Sequence, residues 1–201
     1  YPFGWYTFED PALPVQLSLE VFSPLIPLDA KNSALPCAIF NVTVENQGDQ
    51  SVEVSFLATQ QNAAGLVETL PPDPIQGRRL VERPHSEDWT VIRRYSDQYG
   101  GNINKVLRTK GSTFLHMIAD KPKDSPSYGE MVLVVMEEHA QATASWDTLA
   151  SLCDEFTRSG GVSGPEEAGP SPKGQTLDGA LATPFVIQPG GKRTVSFILI
   201  W

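Results

Sequence analysis

The stretch FSPLIPLDAKNSALPCAIF, Phe22 to Phe40, decides how the rest of the chain is read. Pro24, Pro27 and Pro36 each fix φ and remove a backbone donor, so neither a continuous helix nor a central strand runs through it. Before it, Val15, Leu17, Leu19 and Val21 alternate with Gln16, Ser18 and Glu20; after it, Ala38, Phe40, Val42 and Val44 repeat at the same spacing of two. The stretch therefore reads as a stiff crossover between two strands, with Asp29, Lys31, Asn32 and Ser33 clustered at its tip. Asp, Asn and Ser are also the ordinary residues of a solvated turn, and from the residues alone that plainer reading is the better one.

Working outward, 201 residues suffice for one large or two small domains with a self-supporting core. A hydrophobic share of 40% and a charged share of 19% place the chain among ordinary globular proteins. The net charge of -9 argues against nucleic acid or anionic lipid as partners, since neutralising phosphates requires cations. No apolar run approaches the ~20 residues that cross a bilayer, and the start YPFGWYTF lacks a signal peptide's basic and apolar regions. The chain does not begin with Met and stops on the apolar run Val195 to Trp201, which reads as a piece of a longer polypeptide. Cys37 and Cys153 form no C-x-x-C pair, and one disulfide or two buried thiols both fit.

Strand patterns recur along the chain. Residues 1 to 8 suit an edge strand with Phe3, Trp5 and Phe8 available for burial. Cys37 to Glu45 and Val52 to Ala58 flank the turn cluster Asn46 to Gln50, the strongest hairpin signal in the sequence. Further strands are expected at Ile103 to Arg108, Thr113 to Ile118, Met131 to Met136, Ala142 to Trp146, Leu177 to Gln188 and Arg193 to Trp201. Between them, residues 62 to 101 form a long excursion rich in Pro, Gly and Arg, with one short strand at Trp89 to Arg93. The period changes once: Leu149, Leu152, Cys153 and Phe156 make a single apolar stripe, predicting a helix over 148–158 with Asp147 as N-cap and Cys153 facing the core. About ten strands, one short helix and long irregular loops predict an all-β, antiparallel β-sandwich, taken as a single domain over 1–201.

Chemistry is sparse. His85, His116 and His139 lie in no ligand-like spacing, so no metal site is expected. Adjacent acids at Glu137-Glu138 and Glu166-Glu167 face opposite ways on a strand, and nothing pairs any two of the 24 acids as the acid and base of a glycosidase. No serine sits in a G-x-S-x-G elbow and no phosphate-binding glycine loop is present, so no catalytic residue and no cofactor is assigned. Among aromatics that could stack on a sugar, Trp89, Tyr95 and Tyr99 stand out because they lie in the excursion, although aromatics in a sandwich are more often core.

Phe8-Glu9-Asp10-Pro11, Leu13-Pro14-Val15, Phe22 to Pro27, Asp29 to Ser33, Leu35-Pro36, Val44-Glu45-Asn46 with Ser51 to Val54, Gly101 to Asn104, Tyr128-Gly129-Glu130, the helix Trp146 to Phe156, Gly164 to Gly169 with Pro170 and Pro172, and the closing Val195 to Trp201 occur in an order that resembles the N-terminal domain of glycoside hydrolase family 116. The resemblance covers nearly the full chain and extends to bile-acid β-glucosidase and glucosylceramidase type enzymes. It implies a β-sandwich packed against a C-terminal (α/α)6 catalytic barrel, in the same polypeptide, that carries the carboxylates of a retaining β-glycosidase acting on a β-glucoside or glycolipid. None of that barrel lies within these residues, so the expectation is a domain inactive alone that buttresses the barrel. Asp29, Lys31, Asn32, Ser33, Asn102 and Asn104 are the candidates for the domain interface, expected at one end of the sandwich together with the apolar C-terminal strand Val195 to Trp201. The competing reading is an independent carbohydrate-binding module using Trp89, Tyr95 or Tyr99.

Overall fold

The structure, a computed structural model, describes residues 2–65, 100–125 and 128–201. Its strands are β1 (Phe3–Phe8), β2 (Val15–Phe22), β3 (Cys37–Asn46), β4 (Val52–Gln61), β5 (Asn102–Thr109), β6 (Ser112–Ala119), β7 (Glu130–Val135), β8 (Gln141–Thr143), β9 (Glu167–Ala168), β10 (Asp178–Ile187) and β11 (Lys192–Ile200). Two helices accompany them, α1 (Ala30–Ser33) and α2 (Leu149–Ser159). An eight-stranded sheet runs β1-β2-β3-β11-β7-β6-β5-β9, and a three-stranded sheet runs β4-β10-β8. All pairings are antiparallel among the described residues, which makes the protein an all-β sandwich as expected.

The alternation of each strand decides its faces. Phe40 and Val42 on β3, Val195 and Phe197 on β11, Leu133 and Val135 on β7 and Leu115 and Met117 on β6 meet Phe56, Ala58, Leu181 and Phe185 of the smaller sheet in one core. Gly179 of β10 permits a close approach of the two sheets, since a Cβ there would lie 2.5 Å from Leu115 Cδ2. The far side of the smaller sheet presents Leu57, Ala180 and Ala182 to Leu149, Leu152 and Phe156 of α2, so the helix forms a third layer.

Four expectations are corrected. The strands β3 and β4 do not form a hairpin: β3 is paired on both edges, by β2 and β11, and β4 pairs with β10 in the other sheet. The turn between them is an arch held by Asn46, which is fully buried and donates its side-chain amide to the Gln50 and Ile187 carbonyls while its Oδ1 accepts the Gly48 N–H. Phe3, Trp5 and Phe8 remain exposed: Phe3 and Trp5 lie in register with Phe22 and Glu20 on the face of the large sheet opposite the core, while Phe8 is on the core side but lies where no residue of β1 or β2 reaches the core under the narrower sheet. The N-cap of α2 is Thr148 rather than Asp147, in a reciprocal capping box with Ser151. Cys153 is exposed and Cys37 half-buried, both free. At ~100° per residue Cys153 lies about 100° round from Leu152, beyond the narrow seam that Ala180 and Ala182 offer.

Candidate functional site: the crossover end of the sandwich

The crossover 23–36 joins neighbours: β2 and β3 pair directly, with Phe22 opposite Ile39. Following the register, Ile200 faces Cys37 and Val132, Ile118 faces Glu130, and Asn102 faces Ala119. The crossover, the end of β11 and the start of β5 therefore share one end of the large sheet. From β3 to β5 the separation is four strand spacings, about 19 Å.

At the tip, the polar residues are spent on the loop itself. Asp29 caps α1, its Oδ1 accepting the Asn32 N–H at 3.0 Å and its Oδ2 the Asn32 side-chain amide at 2.6 Å. These bonds, the backbone one foremost, hold the Asp29 carboxyl below its ordinary value; the Lys31 N–H adds to them and burial opposes slightly. Ser33 closes the base of the loop, its hydroxyl accepting the Ile26 N–H and donating to the Ile26 carbonyl. Lys31 is exposed.

With the polar groups turned inward, the apolar ones are turned out. Leu25, Ile26, Leu28 and Leu35 are all exposed, and Leu28 is 108% exposed at a φ of 66°. A non-glycine residue in this left-handed region is uncommon and strained. Beside them the Trp201 N–H donates to the Pro36 carbonyl at 3.0 Å, which sets the exposed Ile200 and Trp201 against the crossover. Sequence reasoning singled out the polar tip and passed over the leucines, although an LIPL run between prolines in a loop was the available signal.

Asn102 and Asn104 occupy the same end but face into the sandwich, at 2% and 0% exposure. With Asn62 they form a buried amide network: the Asn62 side chain donates to Asn104 Oδ1 at 2.8 Å and to the Ile118 carbonyl at 2.9 Å, and its Oδ1 accepts the Ala64 N–H. Asn104 donates to the Ala144 carbonyl, and Asn102 to the Ala64 carbonyl at 2.9 Å. Ser171 exchanges backbone and hydroxyl hydrogen bonds with Asn102. Gly65, at φ 77°, presses on β6 where a Cβ would lie 2.5 Å from Ala119 Cβ. The network ties Ala64 to Asn102, so residues 65 and 100 are held close to one another across the excursion. Trp89, Tyr95, Tyr99, His85 and the strand expected at 89–93 lie outside the described residues.

Elsewhere, His116 pairs with Glu130 at 2.9 Å, and among the described residues no three His, Cys, Asp or Glu side chains converge as a metal site would require. No described helix is long and apolar enough to cross a membrane. A family model described as beta-glucosidase 2, glycosyl-hydrolase family 116 N-term, matches residues 1–201.

Proposed function

The chain belongs to the N-terminal domains of glycosyl-hydrolase family 116, and on that premise we propose that it is a non-catalytic β-sandwich supporting a C-terminal (α/α)6 catalytic barrel of the same polypeptide. The whole chain acts as one domain in this reading, and the parent is a β-glucosidase or glucosylceramidase type enzyme. Supporting it is the crossover end, where Leu25, Ile26, Leu28, Leu35, Ile200 and Trp201 stand exposed together. Leaving such surface in water is unfavourable by roughly 25 cal/mol per Å², and covering it with a neighbouring domain recovers that energy. Asp29, Asn32 and Ser33 then act by shaping the loop that presents the leucines. Asn102 and Asn104 act from inside, by holding the adjoining strands in register.

The test mixes this chain with the parent's barrel expressed separately and measures association by calorimetry. Leu25→Asp with Leu28→Asp should weaken the complex by about 2 kcal/mol or more, close to thirtyfold in Kd. Association that is unchanged by the pair of substitutions, or that never forms, would sink the docking assignment.

A further inference from the structure

The outer face of the large sheet, opposite the core, carries a built feature that the buttress reading does not use. Thr7, Ser18, Thr43 and Thr194 face one another in successive register across β1, β2, β3 and β11. Four short hydroxyl side chains in one row leave a trough running across the strands, about 14 Å long at ordinary strand spacing. The row on one side is Trp5, Glu20, Asn41 and Ser196, and its first three side chains stand taller than the floor. Gln16, Glu45 and Lys192 bound the other side, with Lys192 paired to Glu45 at 3.7 Å. Two contiguous hollows of about 150 and 390 Å³ share Thr7, Ser18 and Thr43 as floor.

The taller wall is fixed in place by a chain of hydrogen bonds. Trp5 Nε1 donates to Glu20 Oε1 at 3.1 Å, Asn41 donates to Glu20 Oε2 at 3.0 Å, and the Ser196 hydroxyl donates to Asn41 Oδ1 at 2.7 Å. Phe3 stacks on the indole at 5.5 Å and 10°, from the side away from Thr7. One face of the Trp5 ring is thus covered and the other borders the trough, on a residue that is 70% exposed.

We infer that this trough binds a neutral oligosaccharide, a pyranose ring stacking on Trp5 and its hydroxyls meeting the Thr7, Ser18, Thr43 and Thr194 floor. The chemistry matches on three counts. A pyranose with equatorial hydroxyls has an apolar C–H face suited to an indole. Serine and threonine hydroxyls both donate and accept, as a polyol requires; the Thr7 and Ser18 hydroxyls bond no described protein group, and only Thr43 and Thr194 bond each other, at 2.8 Å. Glu20 and Asn41, already oriented by their neighbours, add a carboxylate and an amide without ordering cost. The inference does not depend on docking to a barrel, since trough and apolar end are different surfaces.

The 201-residue chain titrated with cellopentaose, followed by calorimetry and by amide chemical shifts, tests it. Binding with a Kd of about 1 mM or tighter is expected, with shifts confined to β1, β2, β3 and β11. Trp5→Ala removes the platform and Ser18→Leu fills the floor; each should weaken binding about tenfold or more. Both positions lie on the outer face, so core amide shifts should stay unchanged and report that the fold is kept. No cellopentaose binding up to about 10 mM, or binding that survives either substitution, overturns the inference.

Discussion

Asn62 shows how much one side chain can hold. Its amide and carbonyl oxygen together satisfy Asn104 and the Ala64 N–H, both buried away from water, and the half-buried Ile118 carbonyl. Truncation in Asn62→Ala strands those groups, and each unsatisfied buried group costs on the order of 1–3 kcal/mol. Chemical denaturation should show a loss of about 3 kcal/mol, whereas a loss under about 1 kcal/mol would mean that the network is not what pins β4 to β5. Asp29 is the opposite case, an exposed group whose influence is local. Its folded pKa lies below the ordinary 3.8, so its capping contribution is complete above that value and is lost as pH falls through the lowered one. Amide shifts of Asn32 and Ile26 should therefore move only below about pH 4, and Asp29→Asn should flatten the titration. A midpoint above the ordinary value would contradict the cap.

At the scale of elements, the two sheets approach through a missing side chain. The β10 strand carries Gly179 where Leu115 of β6 comes up from the opposite sheet, and a methyl group there would collide with both Leu115 methyls, at 2.5 and 2.9 Å. Gly179→Ala should destabilise by about 1–3 kcal/mol through overpacking. Adding Leu115→Val makes room, so the double variant should recover part of that loss, a coupling read from a double-mutant cycle. Strict additivity would show that the cost comes from the Thr143 carbonyl, 2.9 Å from the same position, and not from Leu115. The arch at Asn46 obeys the same logic, since two alternating strands joined by a short polar turn can pair edge to edge or face each other. Here the edges of β3 are already occupied, so β4 faces it.

For the whole molecule, stability alone and function in a longer polypeptide pull in different directions at the crossover end. Leu28 is strained at φ 66° and wholly exposed, so in isolation it stabilises nothing. Replacing it with glycine relieves about 1–2 kcal/mol of left-handed strain against roughly 0.5–1 kcal/mol of added unfolded-state entropy. Leu28→Gly should therefore raise the isolated chain's stability by about 0.5–1 kcal/mol while weakening association with the barrel. Equal stability, or a complex as tight as before, would remove the reason for keeping leucine there.

Local pattern was enough for most of the described strands, the helix over 149–159 and the all-β class, though not for the two-residue β9 or the short α1, because period-two and period-3.6 alternation report which face of an element meets apolar neighbours. The proline-rich crossover between β2 and β3 was legible for a similar reason, as prolines exclude regular pairing wherever the chain goes. Partnership between strands was not local information. Whether β3 pairs with β4 or with β11, and whether Asn102 and Asn104 point outward or into a buried amide network, depends on residues more than a hundred positions or some forty positions away. The exposure of Trp5, Leu28 and Cys153 was likewise settled only by the tertiary structure, because an apolar residue is buried by what lies opposite it: Trp5 stands on the outer face of the large sheet, Leu28 at the crossover tip and Cys153 beside the seam of α2.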